Sequence, residues 1–214
     1  MKIIDLSHTI SPDMPVYPGT EPPTFKIGCT IENDGFLEKE ITMYSHTGTH
    51  IDAPAHLIKG LKTLDQLQIE HYFGEALLVD FRNIGRNIIQ LDDLTTYEKE
   101  INTADFLLIN TGWNKYWGTE KYYYDYPVLS GDAADWLSKH SLKGLGLDTI
   151  SADSADTTDF SIHKTLFKED MIIIENLVNL ENIGTNLFKF SCFPLNIEEA
   201  DGSPVRAIAY LGEI

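Results

Sequence analysis

Apolar residues fall in short unbroken runs rather than in long periodic stripes. Ala76 to Phe81, Phe106 to Asn110, Gly144 to Leu147 and Met171 to Ile174 are each almost free of polar interruption. Runs of this length, bounded by polar or turn-forming residues, read as strands buried on both faces. Between them, Leu91 to Lys99, Ser130 to His140 and Ser161 to Lys168 carry patterns suited to helices, and Ser130 is a capping residue. Strand and helix alternating at this spacing imply right-handed crossovers and a partly parallel sheet.

The two ends have a different rhythm. The stretch to about Thr30 is rich in turn formers (Pro12, Pro15, Pro18, Gly19, Pro22, Pro23) and reads as a short strand followed by a long irregular segment. Gly35 to Tyr44 alternates enough to predict a strand. Leu61 to Tyr72 predicts a helix, with Thr63 and Gln66 in capping-box spacing. Leu187 to Phe193 and Val205 to Leu211 predict two strands of a hairpin with a long loop, turning at Asp201-Gly202. No repeat or linker divides the chain. The reading is α/β: a single domain over residues 1–214, with a mixed sheet, a partly parallel βαβ core and antiparallel strands at its ends.

Composition narrows the partners. The 214 residues carry 16 Lys plus Arg against 33 Asp plus Glu, a formal net charge of -17. That surplus argues against nucleic acid and against anionic membrane, and leaves a small molecule or a protein as partner. Cys29 and Cys192 are the only cysteines and form no CxxC, so neither a disulfide scaffold nor a structural zinc module is expected. The start, MKIIDLSHTI, lacks the uninterrupted apolar stretch of a secretory leader, and Met171 to Ile174 is far below membrane-spanning length. A cytoplasmic protein is expected.

The chemistry gathers in one segment, Ser45-His46-Thr47-Gly48-Thr49-His50-Ile51-Asp52-Ala53-Pro54-Ala55-His56. Imidazole and carboxylate are the usual ligands of zinc, manganese and ferrous iron. His46 and His50 are four apart, but Thr47, Gly48 and Thr49 are poor helix formers and Pro54 forbids continuation. In a straight strand four residues span about 13 Å, the limit of what two imidazoles can bridge. The spacing therefore predicts a strand that bends at Gly48, curling His46, His50 and Asp52 around one point. His56, beyond the Pro54 turn, can return to the same cavity.

Elsewhere the pattern speaks less. Taken alone, His163 reads as a surface helix residue. Glu175 reads as a charged strand end, although the carboxyl ends of α/β strands are where functional groups gather. His8, His71 and His140 have no partners in sequence and read as structural. Lys121 to Tyr126 holds four tyrosines, suited to a pocket entrance or to a subunit contact.

The motif His-x-Gly-Thr-His-x-Asp-x-Pro-x-His runs without mismatch from His46 to His56. With Asp5-Leu6-Ser7, Pro18-Gly19, Thr111-Gly112-Trp113, Glu175-Asn176-Leu177 and Asp201-Gly202-Ser203-Pro204-Val205-Arg206, it makes the chain resemble the cyclase family of metal-dependent hydrolases, which includes the bacterial kynurenine formamidases. The resemblance covers nearly the whole chain and implies a swivelling β/β/α fold. It implies that His46, His50 and Asp52 bind a first divalent ion, and that Asp52, Glu175 and His163 hold a second. Zinc is the first expectation and manganese the second. His56 would be the catalytic acid/base, and Tyr17, before Pro18-Gly19, would contact the substrate ring. In isatin hydrolases, relatives with one manganese, an amide replaces the carboxylate equivalent to Glu175, so Glu175 favours two ions here.

The implied activity is hydrolysis of an aryl amide, first of all N-formylkynurenine in tryptophan catabolism, by a homodimer or homotetramer. Tyr17 stands where the formamidases carry Trp or Phe, and Thr20 where they carry Asp after Pro-Gly. Hydrolysis of another cyclic or aryl amide such as isatin therefore stays open, as does metal binding without turnover. A G-x-S-x-G elbow, a Walker A and a complete dinucleotide fingerprint are all missing from the sequence.

Overall fold

The computed structural model describes residues 1–212. The elements in chain order are β1 (Lys2–Asp5), β2 (Thr24–Cys29), α1 (Ile31–Asp34), β3 (Glu38–Thr42), β4 (His50–Asp52), β5 (Phe73–Asp80) and β6 (Ile88–Ile89). Then come α2 (Leu91–Thr95), α3 (Glu98–Ile101), β7 (Phe106–Asn110), β8 (Val128–Leu129), α4 (Gly131–Leu137) and β9 (Gly144–Leu147). The chain continues through α5 (Ser161–Phe167), β10 (Ile172–Glu175), β11 (Leu187–Ser191), β12 (Gly202–Pro204) and β13 (Ile208–Leu211).

Nine strands form one sheet in the order β1-β13-β11-β5-β7-β9-β10-β4-β12. The middle, β5-β7-β9-β10, is parallel, and both flanks are antiparallel. The α/β class with antiparallel ends is therefore as the sequence predicts. Strict alternation splits the buried strands between two cores. Phe106, Leu108, Ile172, Ile174 and Ile51 pack on one side of the sheet. Leu107, Ile109 and Ile173 pack on the other, with residues of α2 to α5.

Several local readings need correction. Leu61 to Tyr72 is not a helix: it holds two 3-10 turns, Leu64–Gln66 and Ile69–Tyr72, because Leu67 and Gln68 between them are extended. The Thr63/Gln66 capping box does form, on the first of these turns. Leu91 to Lys99 divides into α2 and α3, broken at Tyr97 (φ -108°, ψ 11°). The predicted strand Val205 to Leu211 holds β13, which pairs with β11 as expected, whereas the predicted turn at Asp201-Gly202 leads into a further strand, β12, which pairs with β4. The proline-rich segment contains an unforeseen strand, β2, which pairs only with β3 in a two-stranded ribbon. Ser130 caps α4 as predicted, its hydroxyl accepting from the Ala133 N–H.

Candidate metal centre

Sheet register sets the centre. On β4, Ile51 enters one core, so His50 and Asp52 must face the other side, toward α5. On β10, Ile174 enters the same core as Ile51, so Ile173 and Glu175 face α5. The antiparallel pairing sets His50 opposite Glu175 and Asp52 opposite Ile173. His50 Nε2 lies 3.1 Å from Asp52 Oδ1 and 3.6 Å from Glu175 Oε2.

The bend predicted at Gly48 is present, with φ +68°, a left-handed conformation that glycine adopts without strain. It aims the Gly48 carbonyl at two donors, His50 Nδ1–H at 2.8 Å and Asn176 Nδ2 at 2.9 Å. A carbonyl only accepts, so the proton of His50 sits on Nδ1 and the Nε2 lone pair points into the centre. Before the bend, His46 turns its Nδ1 to Asp52 Oδ1 at 2.5 Å and its Nε2 to Asp201 Oδ2 at 3.0 Å. Gly202, opposite Asp52 on β12, makes room for that ring: a Cβ there would meet His46 Cε1 at 2.5 Å.

His163 comes from the helix α5. It is not a surface residue, being only 4% exposed. Asp153 accepts the first-turn N–H groups of Ile162 and His163 at 3.0 and 3.1 Å, and His163 Nδ1–H at 2.6 Å. His163 Nε2 thus faces Glu175 Oε1 at 3.2 Å and Asp52 Oδ2 at 3.5 Å. Glu175, also 4% exposed, is no charged strand end in water; its Oε1 accepts the Ala152 N–H at 2.9 Å.

Among the described residues three donor groups result, each with its ligand atoms within 4.8 Å of one another: His46-His50-Asp52 and Asp52-His163-Glu175, which share Asp52, and the more exposed His46-His56-Asp201. Burial raises the proton affinity of Glu175, and the neighbouring Asp52 raises it further. Burial would also raise that of Asp52, but the His46 and His50 rings outweigh it and hold Asp52 well below the usual range. Burial alone would lower His46, yet Asp52 and Asp201 push it up to about 10. Among the described residues lining this pocket, none is Lys or Arg to balance the two carboxylates. Inward lone pairs, buried carboxylates and outward nitrogens with acceptors behind them are a donor set that fits divalent ions.

The pocket over the centre has a volume of about 300 Å³. Pro15, Val16, Tyr17, Leu57, Ile150 and Phe160 supply its apolar wall. His56 lines it too, from a 3-10 turn begun by Pro54, its ring centroid 4.0 Å from that of His46. Burial lowers the His56 pKa below the usual imidazole value, favouring the neutral base near pH 7. All seven residues singled out in the sequence thus meet around one cavity. Of the tyrosine run, Tyr122 and Tyr126 are buried, and Tyr124 is exposed.

A family model described as "Putative cyclase" matches residues 4–154. The chain belongs to the cyclase family. Two relatives in the family are kynurenine formamidases: one from Bacillus cytotoxicus, 32% identical over 96% of this chain and 95% of its own length, and one from Bacillus mycoides, 33% identical with the same coverage. An isatin hydrolase bound to the product analogue thioisatinate shares the fold, with a TM-score of 0.90 at 21% identity, covering 99% of this chain and 93% of its own. A structure described as a potential metal-dependent hydrolase with cyclase activity matches with a TM-score of 0.82 at 28% identity, covering 97% and 96%.

Sequence reasoning missed the residues behind the centre. Asp153 and Asp201 take the outward nitrogens of His163 and His46, and Asn176 pins the Gly48 turn. Asp201 and Asn176 sit in motifs that the sequence displays, but their partners are more than a hundred residues away. Asp153 carries no sequence signal. The Asp148 carboxylate accepts from the Thr111 and Trp113 N–H groups, which makes it a loop anchor beside the centre.

Proposed function

We propose that the chain is a metal-dependent amide hydrolase, with N-formylkynurenine as its first substrate and tryptophan catabolism as its setting. The observation that carries this reading is the convergence of three imidazoles and a second buried carboxylate, Glu175, on Asp52, under a cavity with one apolar wall. The kynurenine formamidases found among its relatives support it. His46, His50 and Asp52 would hold one divalent ion and Asp52, His163 and Glu175 a second, zinc first and manganese next. When bound, such ions polarise a carbonyl and lower the pKa of water toward neutrality.

The chain's own residues do the rest. Gly48 and Asp153 fix the tautomers of His50 and His163 so that neither ring needs to reorganise. Amide hydrolysis breaks a C–N bond and must deliver a proton to the leaving nitrogen. His56, neutral and beside the centre, takes a proton from water and passes it to that nitrogen. Tyr17 packs on the substrate ring with Phe160 and Ile150. The protein works as a single catalytic domain in the cytoplasm, as a homodimer or homotetramer. No helix among the described residues is long and apolar enough to cross a membrane.

The test compares N-formylkynurenine with isatin on protein of measured metal content. Formate release from N-formylkynurenine, at a kcat/KM above that for isatin ring opening, supports the reading. Preference for isatin would move the activity to the cyclic amide. Turnover of neither, with metal bound, would leave a metal-binding protein without hydrolysis.

A further inference from the structure

Each imidazole that converges on Asp52 has an acceptor behind its outward nitrogen. For His50 it is the Gly48 carbonyl and for His163 the buried Asp153 carboxylate. For His46 it is Asp201, and Asp201 does more than the other two. Its Oδ2 sits 3.0 Å from His46 Nε2 and also 3.5 Å from His56 Nδ1, so one carboxylate oxygen stands between a candidate ligand and the candidate acid/base.

The carboxylate is held in place although its side chain is 49% exposed. The Asp201 carbonyl accepts the Ala53 N–H at 2.8 Å, and the preceding Ala200 carbonyl accepts the Leu64 N–H at 2.9 Å. These bonds tie its backbone to the residue after Asp52 and to the turn after His56. Gly202, next in sequence, leaves the space that the His46 ring fills.

We propose that Asp201 is a positioning residue for both histidines. Holding Nε2–H of His46 leaves Nδ1 as the nitrogen that faces the ion site beside Asp52, and the carboxylate 3.5 Å from His56 Nδ1 favours the proton on that nitrogen, leaving Nε2 as the basic nitrogen toward the pocket. The inference rests on the reading of the site given under Proposed function. It joins ion retention and proton transfer through one half-exposed side chain, at the edge of the site where solvent reaches it.

Asp201→Asn keeps the size and one acceptor but removes the charge. Zinc affinity is measured by competition with a chromophoric chelator, and kcat and KM on N-formylkynurenine at saturating zinc. We expect zinc affinity to fall about 10–100-fold, the usual effect of removing an outer partner of a ligand. We also expect kcat at saturating zinc to fall about 10-fold or more while KM stays within about 2-fold, since proton transfer is impaired and not binding. Unchanged zinc affinity and unchanged kcat would overturn the proposal. So would three ions per wild-type chain and two per variant, because Asp201 would then be a ligand with His46 and His56. Wild type that binds zinc but hydrolyses no aryl amide would sink the proposed activity, and the affinity measurement would still decide the role toward His46. Wild type that binds no zinc would sink both.

Discussion

His50 and Glu175 face each other directly across the antiparallel strands β4 and β10, and their side chains emerge on the same side of the sheet, Nε2 to Oε2 at 3.6 Å. Residues 125 apart in sequence are thus placed by backbone register alone. Because register is quantised in steps that flip faces, the pair is either together or on opposite sides.

Glu175→Gln keeps the shape and the Ala152 N–H acceptor while removing the charge. The ion count per chain, read by elemental analysis, is expected to fall from two to one, with the ion at His46, His50 and Asp52 retained. Two ions in the variant would show that the carboxylate is not a ligand.

His56→Ala is expected to lower turnover by about 10²–10⁴-fold, the usual contribution of a general acid/base. Metal content should stay near wild type. Loss of an ion in this variant would make His56 a ligand instead.

Gly202→Ala puts a Cβ 2.5 Å from the His46 Cε1, so the ring must leave its place between Asp52 and Asp201. Weaker zinc retention is expected without loss of the fold. Gly131→Ala, where a Cβ meets nothing within 4 Å, is the control and should retain zinc as wild type does. Equal retention by both variants would remove the steric role of Gly202.

His8 stacks on Trp117 with centroids 3.7 Å apart, and its Nε2 is buried without a partner. Burial lowers its pKa to about 4. Between an unfolded value near 6.5 and that folded value, the unfolded chain binds the proton and the folded chain does not. Stability from neutral His8 is therefore full above about pH 6.5 and lost as pH falls toward 4, by up to about 3 kcal/mol. His8→Phe keeps a ring on Trp117. In chemical denaturation of metal-free protein, the variant should lose less stability than wild type between pH 7 and pH 4.5. An identical loss would show that His8 is not an acid-sensitive group.

Local signals carry the sequence reading where chemistry and spacing are local. The His46 to His56 segment contains its own bend, because only a left-handed Gly48 lets ligands four apart converge. The central strands are legible because burial on both faces leaves unbroken apolar runs. What the sequence does not display is pairing at long range. His163 looks like a surface helix residue until β10 and Asp153 enclose it, and β12 is invisible as a strand because Gly202-Ser203-Pro204 has no strand pattern of its own. Its place comes from pairing with β4. The ribbon of β2 and β3 has no buried face to pattern it, since β2 pairs with nothing but β3 and every residue of β3 is exposed.

The central claim is that divalent ions on the Asp52 cluster drive amide hydrolysis. Its most direct test strips the protein with chelator and returns zinc or manganese in measured steps while formate release from N-formylkynurenine is followed. The account predicts no turnover in metal-free protein, and activity that rises and levels off at two ions per chain. Full turnover in metal-free protein, or activity indifferent to added ions, would contradict it.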